Sequence, residues 1–264
     1  MRPDRDIEAL RDRLRAMEAD GCPADDARFS LGLAAADAHL KGGLATHALH
    51  EVYAATTADA ASAQAFALGL AQRAAGERAL VWGVQTMAGL EAGGLYGPGL
   101  RDLGLDPSRI VLVRVRETQA LLAAGEEALA CGAVGAVLLT AWGEARAMTL
   151  TASRRLSLAA QQGRATALLV RLQAQPAPSA ADSRWRVKPA LSRALEAEAP
   201  GHPAFEVELL RHRLGAQPRF WTMEWNRERG SFEARAGQPA LSGDLVSLPA
   251  DGSAEAGGRL RRVG

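Results

Sequence analysis

Four short apolar runs between residues 79 and 172 indicate the fold class. They read ALVWGV (79–84), IVLVRV (110–115), VGAVLL (134–139) and ATALLVRL (165–172). These runs are apolar at successive positions, which is typical of strands that are covered on both faces. Helical patterns separate the runs. The alternation predicts a doubly wound α/β domain with a mostly parallel sheet between two layers of helices.

The same alternation extends outward from this stretch. Residues 49–54 are predicted to form an earlier strand, and helices are predicted at 60–75, around 95–103, at 118–131 and at 151–162. The segment 29–49 contains Gly32, Gly42 and Gly43 and is interpreted as a loop that approaches the first core strand. Beyond a Pro-, Ala- and Ser-rich loop at 175–183, the patterns at 184–187, 205–210 and 220–225 predict antiparallel strands that extend the sheet.

Three regions are expected in the chain. Residues 1–28 combine a linker with an amphipathic helix, because apolar residues recur there at three- and four-residue spacing: Ile7, Leu10, Leu14 and Met17. Residues 29–230 form the α/β core. Residues 231–264 are rich in Gly, Ala, Ser and Pro, which predicts a disordered tail; it ends near the basic cluster Arg259, Leu260, Arg261 and Arg262.

The composition is that of a folded protein without a strong electrostatic bias. The chain has 48% hydrophobic residues and a formal net charge of +1, so no global basic field indicates nucleic acid or an anionic membrane. No apolar run of membrane-spanning length and no signal peptide is evident. We therefore expect a cytoplasmic protein without a membrane partner, in which Cys22 and Cys131 are buried thiols.

Several kinds of catalytic or binding site are disfavoured by the sequence. The segment after the first predicted core strand, YAATTADAAS (53–62), has neither the glycines nor the lysine of a phosphate-binding GxxxxGK[ST] loop. The cluster Gly93, Gly94, Gly97 and Gly99 lacks dinucleotide-loop spacing and is interpreted as a turn. The five histidines never adopt metal-ligand spacing, and no G-x-S-x-G motif is present. No cofactor or metal is predicted.

A basic and aromatic stretch near the C-terminal strands allows two interpretations. In the first interpretation, this stretch binds nucleic acid: bases stack on Trp185, Trp221 and Trp225. The phosphates are then contacted by Arg184, Arg186, Lys188 and Arg193. Alternatively, the tryptophans pack on a sheet face beside a solvated basic edge.

Several segments together resemble RecA, and more specifically the ImuA family of RecA/SulA-like accessory proteins in bacterial translesion DNA synthesis. The resemblance covers roughly residues 29–230. It rests on the order and spacing of the motifs HEV (50–52), LYGP (95–98), GLDP (104–107), TASRRL (151–156), SRWRV (183–187) and PAF (203–205).

The RecA pattern also indicates where an ATPase site would lie. On that alignment, Ala60 and Ala61 replace the Lys and Thr of the phosphate-binding loop. Gln85 replaces the Glu that activates water, and Thr140 replaces the Asp that binds the metal. A neutral glutamine cannot act as a carboxylate base, and no lysine lies between Lys41 and Lys188. The resemblance therefore implies a degenerate ATPase that is not an enzyme.

The resemblance further implies a non-catalytic adaptor in an SOS-induced mutasome. Its partner would be ImuB, an inactive Y-family-like polymerase, with RecA and an error-prone replicative-type polymerase as further candidates. The N-terminal helix and the basic tail are the candidate contact segments. Two other functions stay open: a DNA-binding RecA-like module that uses 175–183 and the basic stretch after it, and a residual ATP-binding subunit.

Overall fold

The computed structural model describes residues 27–193 and 201–235. The described residues contain six α-helices, numbered α1 to α6: Ala34–His39, Ala60–Ala75, Thr86–Ala92, Gly97–Asp102, Thr118–Leu129 and Leu150–Gly163. They also contain eleven strands, β1 to β11: Arg28–Phe29, Leu44–Ala45, Leu49–Ala54, Ala79–Gln85, Ile110–Val115, Val134–Trp142, Thr166–Leu172, Ser183–Pro189, Ala204–His212, Arg219–Asn226 and Ser231–Ala234. Short 3-10 helices lie at Thr57–Asp59 and Pro107–Arg109.

A mixed sheet of nine strands forms the centre of the fold, in the order β11-β10-β9-β8-β3-β7-β6-β4-β5. The six strands from β8 to β5 run parallel to one another, while β8, β9, β10 and β11 pair antiparallel. The predicted α/β class with C-terminal antiparallel strands is confirmed. One detail differs, because β8 was expected to be antiparallel and instead runs parallel to its neighbour β3.

Helices cover both faces of the sheet, as the apolar runs predict. On one face α2 packs over residues such as Val52, Leu138 and Trp185. On the other face α5 and α6 pack over a second cluster that includes Val137 and Leu169. Neighbouring residues of one strand, such as Val137 and Leu138, therefore enter different cores, which explains why these strands are apolar throughout.

Some expected boundaries were wrong. The segment 29–49 is not only a loop, since it contains α1 and the small β1–β2 ladder. Helix α3 was not predicted, and the tail does not begin at residue 231, because β11 pairs with β10 there and buries Phe232 completely. Cys131 is exposed rather than buried. Cys22 lies outside the described residues.

No helix in the described ranges is long and apolar enough to cross a membrane.

Candidate functional site

The loop between β3 and α2 is the segment that the resemblance to RecA aligns with a phosphate-binding loop. Only residues 55–59 join the two elements, and Thr56 and Asp59 close them into a reciprocal capping box. The Asp59 carboxylate accepts hydrogen bonds from the Thr56 backbone amide at 3.2 Å and from its hydroxyl at 2.7 Å. A buried negative charge of the protein itself thus lies at the helix N-terminus that would attract a phosphate.

The side chains of the two residues that follow supply no phosphate or metal ligands. Ala60 and Ala61 form the first turn of α2; Ala60 is buried, while Ala61 borders an apolar groove. A methyl group neither donates a hydrogen bond nor coordinates a cation. The side chains at these two positions therefore contribute packing surface only.

Gln85 and Thr140 are both engaged in contacts that tie strands together. The Gln85 Oε1 accepts from the Trp142 amide at 3.0 Å, and its Nε2 donates to the Arg116 carbonyl at 3.2 Å. These bonds join the carboxyl ends of β4, β5 and β6. The fully buried Thr140 hydroxyl accepts from the Trp82 indole N–H at 3.0 Å. Neither position offers a carboxylate for base or metal chemistry.

Trp185 was a candidate for stacking on nucleic-acid bases, and the structure contradicts that role. Its side chain is fully buried, and its ring lies 5.9 Å from Phe66 and 6.0 Å from Trp221, measured between ring centroids. Its indole N–H donates to the Ser183 hydroxyl at 2.7 Å. Trp221 and Trp225 are also buried, so the alternative of tryptophans packing on a sheet face is the correct one.

The basic residues beside Trp185 differ in how free they are. Arg184 pairs with the buried Glu51 at 3.2 Å, and Arg186 pairs with Glu208 at 2.6 Å. Lys188 is exposed near the end of β8. Two of the three cations are thus occupied by carboxylates, which weakens their candidacy as phosphate contacts.

A buried polar network holds Arg184 in place. Besides that arginine, the Glu51 carboxylate accepts from Tyr53 at 3.0 Å and from Ser179 at 2.7 Å. Burial, together with the adjacent Glu51 charge, raises the pKa of the Tyr53 hydroxyl, which keeps it a donor. The loop at 175–183, expected to approach DNA, is anchored here through Ser179. Sequence reasoning missed Glu51, although an acidic residue inside an apolar strand run is a visible signal.

An apolar groove of about 460 Å³ opens on one side of the sheet. It lies beside β4 and β5, between α2 and the pair α3 and α4. Leu90, Tyr96 and Leu112 border it with exposed fractions of 74%, 70% and 37%. Exposed large apolar side chains that border one groove make it a candidate interaction surface.

The groove adjoins an open edge of the sheet. Strand β5 pairs only with β4, so the other side of its backbone has no strand partner among the described residues. Arg114 lies on this strand and borders the groove. Gly93 and Gly94 lie in the link between α3 and α4, along the groove, whereas Gly97 and Gly99 lie in α4 itself, so the expectation that the whole glycine cluster forms a turn was wrong for the last two. An apolar cavity beside an unpaired strand can accept an extended peptide.

The proposed partner-binding residues lie outside the described residues: Ile7, Leu10, Leu14 and Met17 in the N-terminal segment, and Arg259, Leu260, Arg261 and Arg262 in the tail. Within the described ranges, no group of three or more His, Cys, Asp or Glu side chains has metal-binding geometry.

Comparisons with known proteins identify the family. The chain is 32% identical over 200 residues to Protein ImuA from two strains of Caulobacter vibrioides, covering 69% of this chain and 77% of the relative. No family model matches. Among solved structures, the RadB recombinase aligns with a TM-score of 0.52 at 14% identity, over 78% of this chain and 99% of the recombinase, which supports a RecA-like fold.

The RecA-like fold and this relationship agree with each other. The chain belongs to the ImuA family of RecA-like accessory proteins in DNA-damage-inducible mutagenesis.

Proposed function

We propose that this protein is a non-catalytic adaptor of translesion synthesis that docks an ImuB-type, polymerase-like partner in the apolar groove beside β5. The observation that supports this most directly is the pairing of the groove with an open strand edge. Leu90, Tyr96 and Leu112 offer apolar surface, and the β5 backbone offers hydrogen-bonding groups. Together they fit an extended segment that adds a strand and inserts an apolar side chain.

The proposal treats the ATPase as lost. Phosphoryl transfer needs cations around the phosphates and a carboxylate that positions the nucleophile. At the corresponding positions this chain has Ala60, Ala61, Gln85 and Thr140, and Asp59 adds a negative charge. These substitutions support an adaptor rather than a residual ATP-binding subunit.

Co-purification with the cognate ImuB-type protein tests the docking site. The double variant Leu90→Asp with Tyr96→Asp places two charges in the groove at side chains that are already mostly exposed, so the fold should be retained. Apolar interface anchors typically contribute about 2 kcal/mol or more, so binding should weaken by at least about 30-fold. Leu191→Asp is the matched control, because Leu191 is 82% exposed on another surface.

Retained binding by the double variant would remove the groove from the proposal. If the unmodified chain does not bind its partner at all, the adaptor function itself is wrong. Deletion of residues 1–26 in parallel shows whether the N-terminal segment contributes to the same contact.

A further inference from the structure

A second groove, of about 370 Å³, lies on the opposite face of the sheet, between α6 and the end of β9. Arg154, Arg211 and Arg213 border it. Unlike the groove beside β5, it is bordered largely by polar side chains. The two grooves share no lining residue, so a ligand of the second groove need not compete with a partner bound in the first.

The spacing of the lining residues along α6 and at the end of β9 explains why their side chains border one cleft. Helix α6 contributes four residues at positions i, i+3, i+4 and i+7, which lie along one face of the helix: Arg154, Ser157, Leu158 and Gln161. Arg211 lies on β9 and Arg213 directly follows its last residue, the buried His212; both arginines border the cleft. A helix stripe and a strand end thus present basic and polar groups to one cleft.

Within the described ranges, no carboxylate forms an ion pair with the three arginines of this cleft. The guanidinium groups of Arg154 and Arg213 have no hydrogen-bond or ion-pair partner within the described ranges, and Arg211 makes only a 3.4 Å contact to the Ala181 carbonyl. Neighbouring carboxylates are already paired: Glu126 with Arg155 and Glu51 with Arg184.

The cross-strand arrangement adds to the positive charge. Arg211 is the register partner of Arg184 on β8, so two arginines lie side by side on one face of the sheet. The single carboxylate of Glu51 is engaged by Arg184, Tyr53 and Ser179. Asp182 is a further carboxylate next to Ala181; its Oδ2 lies 3.7 Å from the imidazole Nε2 of His212. Three arginines without an ion-pair partner among the described residues therefore border one cleft.

We infer that this arginine cleft binds the phosphodiester backbone of single-stranded nucleic acid. Planar guanidinium forks match phosphate oxygens, and hydroxyl and amide groups such as those of Ser157 and Gln161 commonly supply the remaining backbone contacts. Leu158, 49% exposed within the stripe, offers apolar surface to an unstacked base, which a duplex does not present. The family's role in DNA-damage-inducible mutagenesis favours nucleic acid over an acidic peptide.

The test is fluorescence anisotropy of a labelled oligothymidylate with the full-length protein, measured between about 50 and 200 mM salt. The cleft variant carries Arg154→Gln, Arg211→Gln and Arg213→Gln. Each phosphate contact contributes about 0.7 to the slope of log affinity against log salt, so the slope should fall by about 2 and the low-salt affinity by at least about tenfold. The control carries Arg101→Gln, Arg116→Gln and Arg229→Gln, which removes the same charge from exposed residues that border neither groove.

Loss of binding in the cleft variant, with the control unchanged, supports the site. Equal weakening in both variants, or no binding by the unmodified protein at low salt, overturns it. Competition by poly-glutamate as strong as by unlabelled oligothymidylate at equal charge also overturns it, because the cleft would then select acidic chains in general. Circular dichroism checks the fold of the triple variant, and Arg213→Gln alone gives the same comparison with a smaller perturbation.

Discussion

The carboxylate of Asp59 accepts two hydrogen bonds from Thr56, through the backbone amide and the side-chain hydroxyl. This contact closes the loop after β3 on itself. In a nucleotide-binding loop the same region stays open, with its amides directed at phosphate oxygens. Here the protein's own carboxylate occupies the helix N-terminus, and the helix is stabilised without a ligand.

We expect Mg·ATP to raise the melting temperature of neither the unmodified chain nor an Asp59→Ala variant. A ligand at 100 times its Kd would stabilise the fold by about 2.7 kcal/mol, which a thermal shift assay detects readily. Removing the carboxylate should not create a site, because no lysine lies between Lys41 and Lys188 to neutralise the phosphates. The variant itself should lose about 1 kcal/mol of unfolding free energy with the cap.

Mg²⁺ alone is the control for this measurement. A saturable rise in melting temperature with ATP in either protein would show that nucleotide binding survives.

Gln85→Glu should destabilise the protein without producing ATP hydrolysis. The new carboxylate still accepts from the Trp142 amide but cannot donate to the Arg116 carbonyl, and the two oxygens would repel each other. The lost hydrogen bond and the unsatisfied carbonyl predict a loss of about 1 kcal/mol in urea unfolding. Gln119→Glu, at an exposed position of α5, is the matched control. Phosphate release above the control rate would show that the carboxylate alone restores chemistry.

The central layer of the fold could be predicted from sequence, since successive apolar residues such as Val137 and Leu138 are informative without knowledge of their neighbours. Strand β11 could not, because four residues in a Gly- and Ala-rich context carry too little local pattern. Its position depends on Phe232 reaching Phe66, far away in the chain. Helix α1, with six residues, depends in the same way on tertiary contacts.

The candidate sites show the same limit. The alternation of Arg184 and Arg186 with Trp185 and Val187 is a strand signal with one buried face, and it already favours a packed tryptophan. The exposure of Leu90 could not be foreseen, because it depends on how the chain turns after α3. The stripe that contains Arg154 was present in the sequence. Only the fold shows that the end of β9 lies beside it.

Stability should fall in mild acid because of a buried histidine. His50 is fully buried; its Nε2 lies 2.9 Å from the Ala45 carbonyl and must donate, so Nδ1 accepts from the Ser183 hydroxyl at 2.7 Å. Burial lowers the pKa of His50 below its ordinary value of 6.5, despite the opposing effect of Asp182. Burial also lowers the pKa of His212. Both rings are therefore neutral in the folded protein near neutral pH.

The direction of this pH effect on stability follows from proton uptake by His50 and His212. In the unfolded chain these histidines take up protons at a higher pH than in the folded one, so acid favours unfolding. Well above pH 6.5, the free energy of unfolding should not depend on these two histidines. It should decline as the pH falls from 6.5 toward the lowered pKa values that the two groups have in the folded protein. Urea unfolding at several pH values measures this decline, and His50→Gln should make it shallower. An unchanged pH profile in that variant would assign the acid sensitivity to other groups.

The core extends past residue 230, and Phe232 provides the test. Its ring is fully buried against Phe66 and Trp225, at centroid distances of 5.0 and 4.8 Å, and its backbone amide donates to the Leu31 carbonyl at 2.9 Å. Phe232→Ala should therefore cost about 3 to 5 kcal/mol of unfolding free energy. Phe220→Ala, the same substitution at a ring that is 70% exposed, should change it by no more than about 0.5 kcal/mol. Similar losses in the two variants would mean that β11 does not contribute to the core.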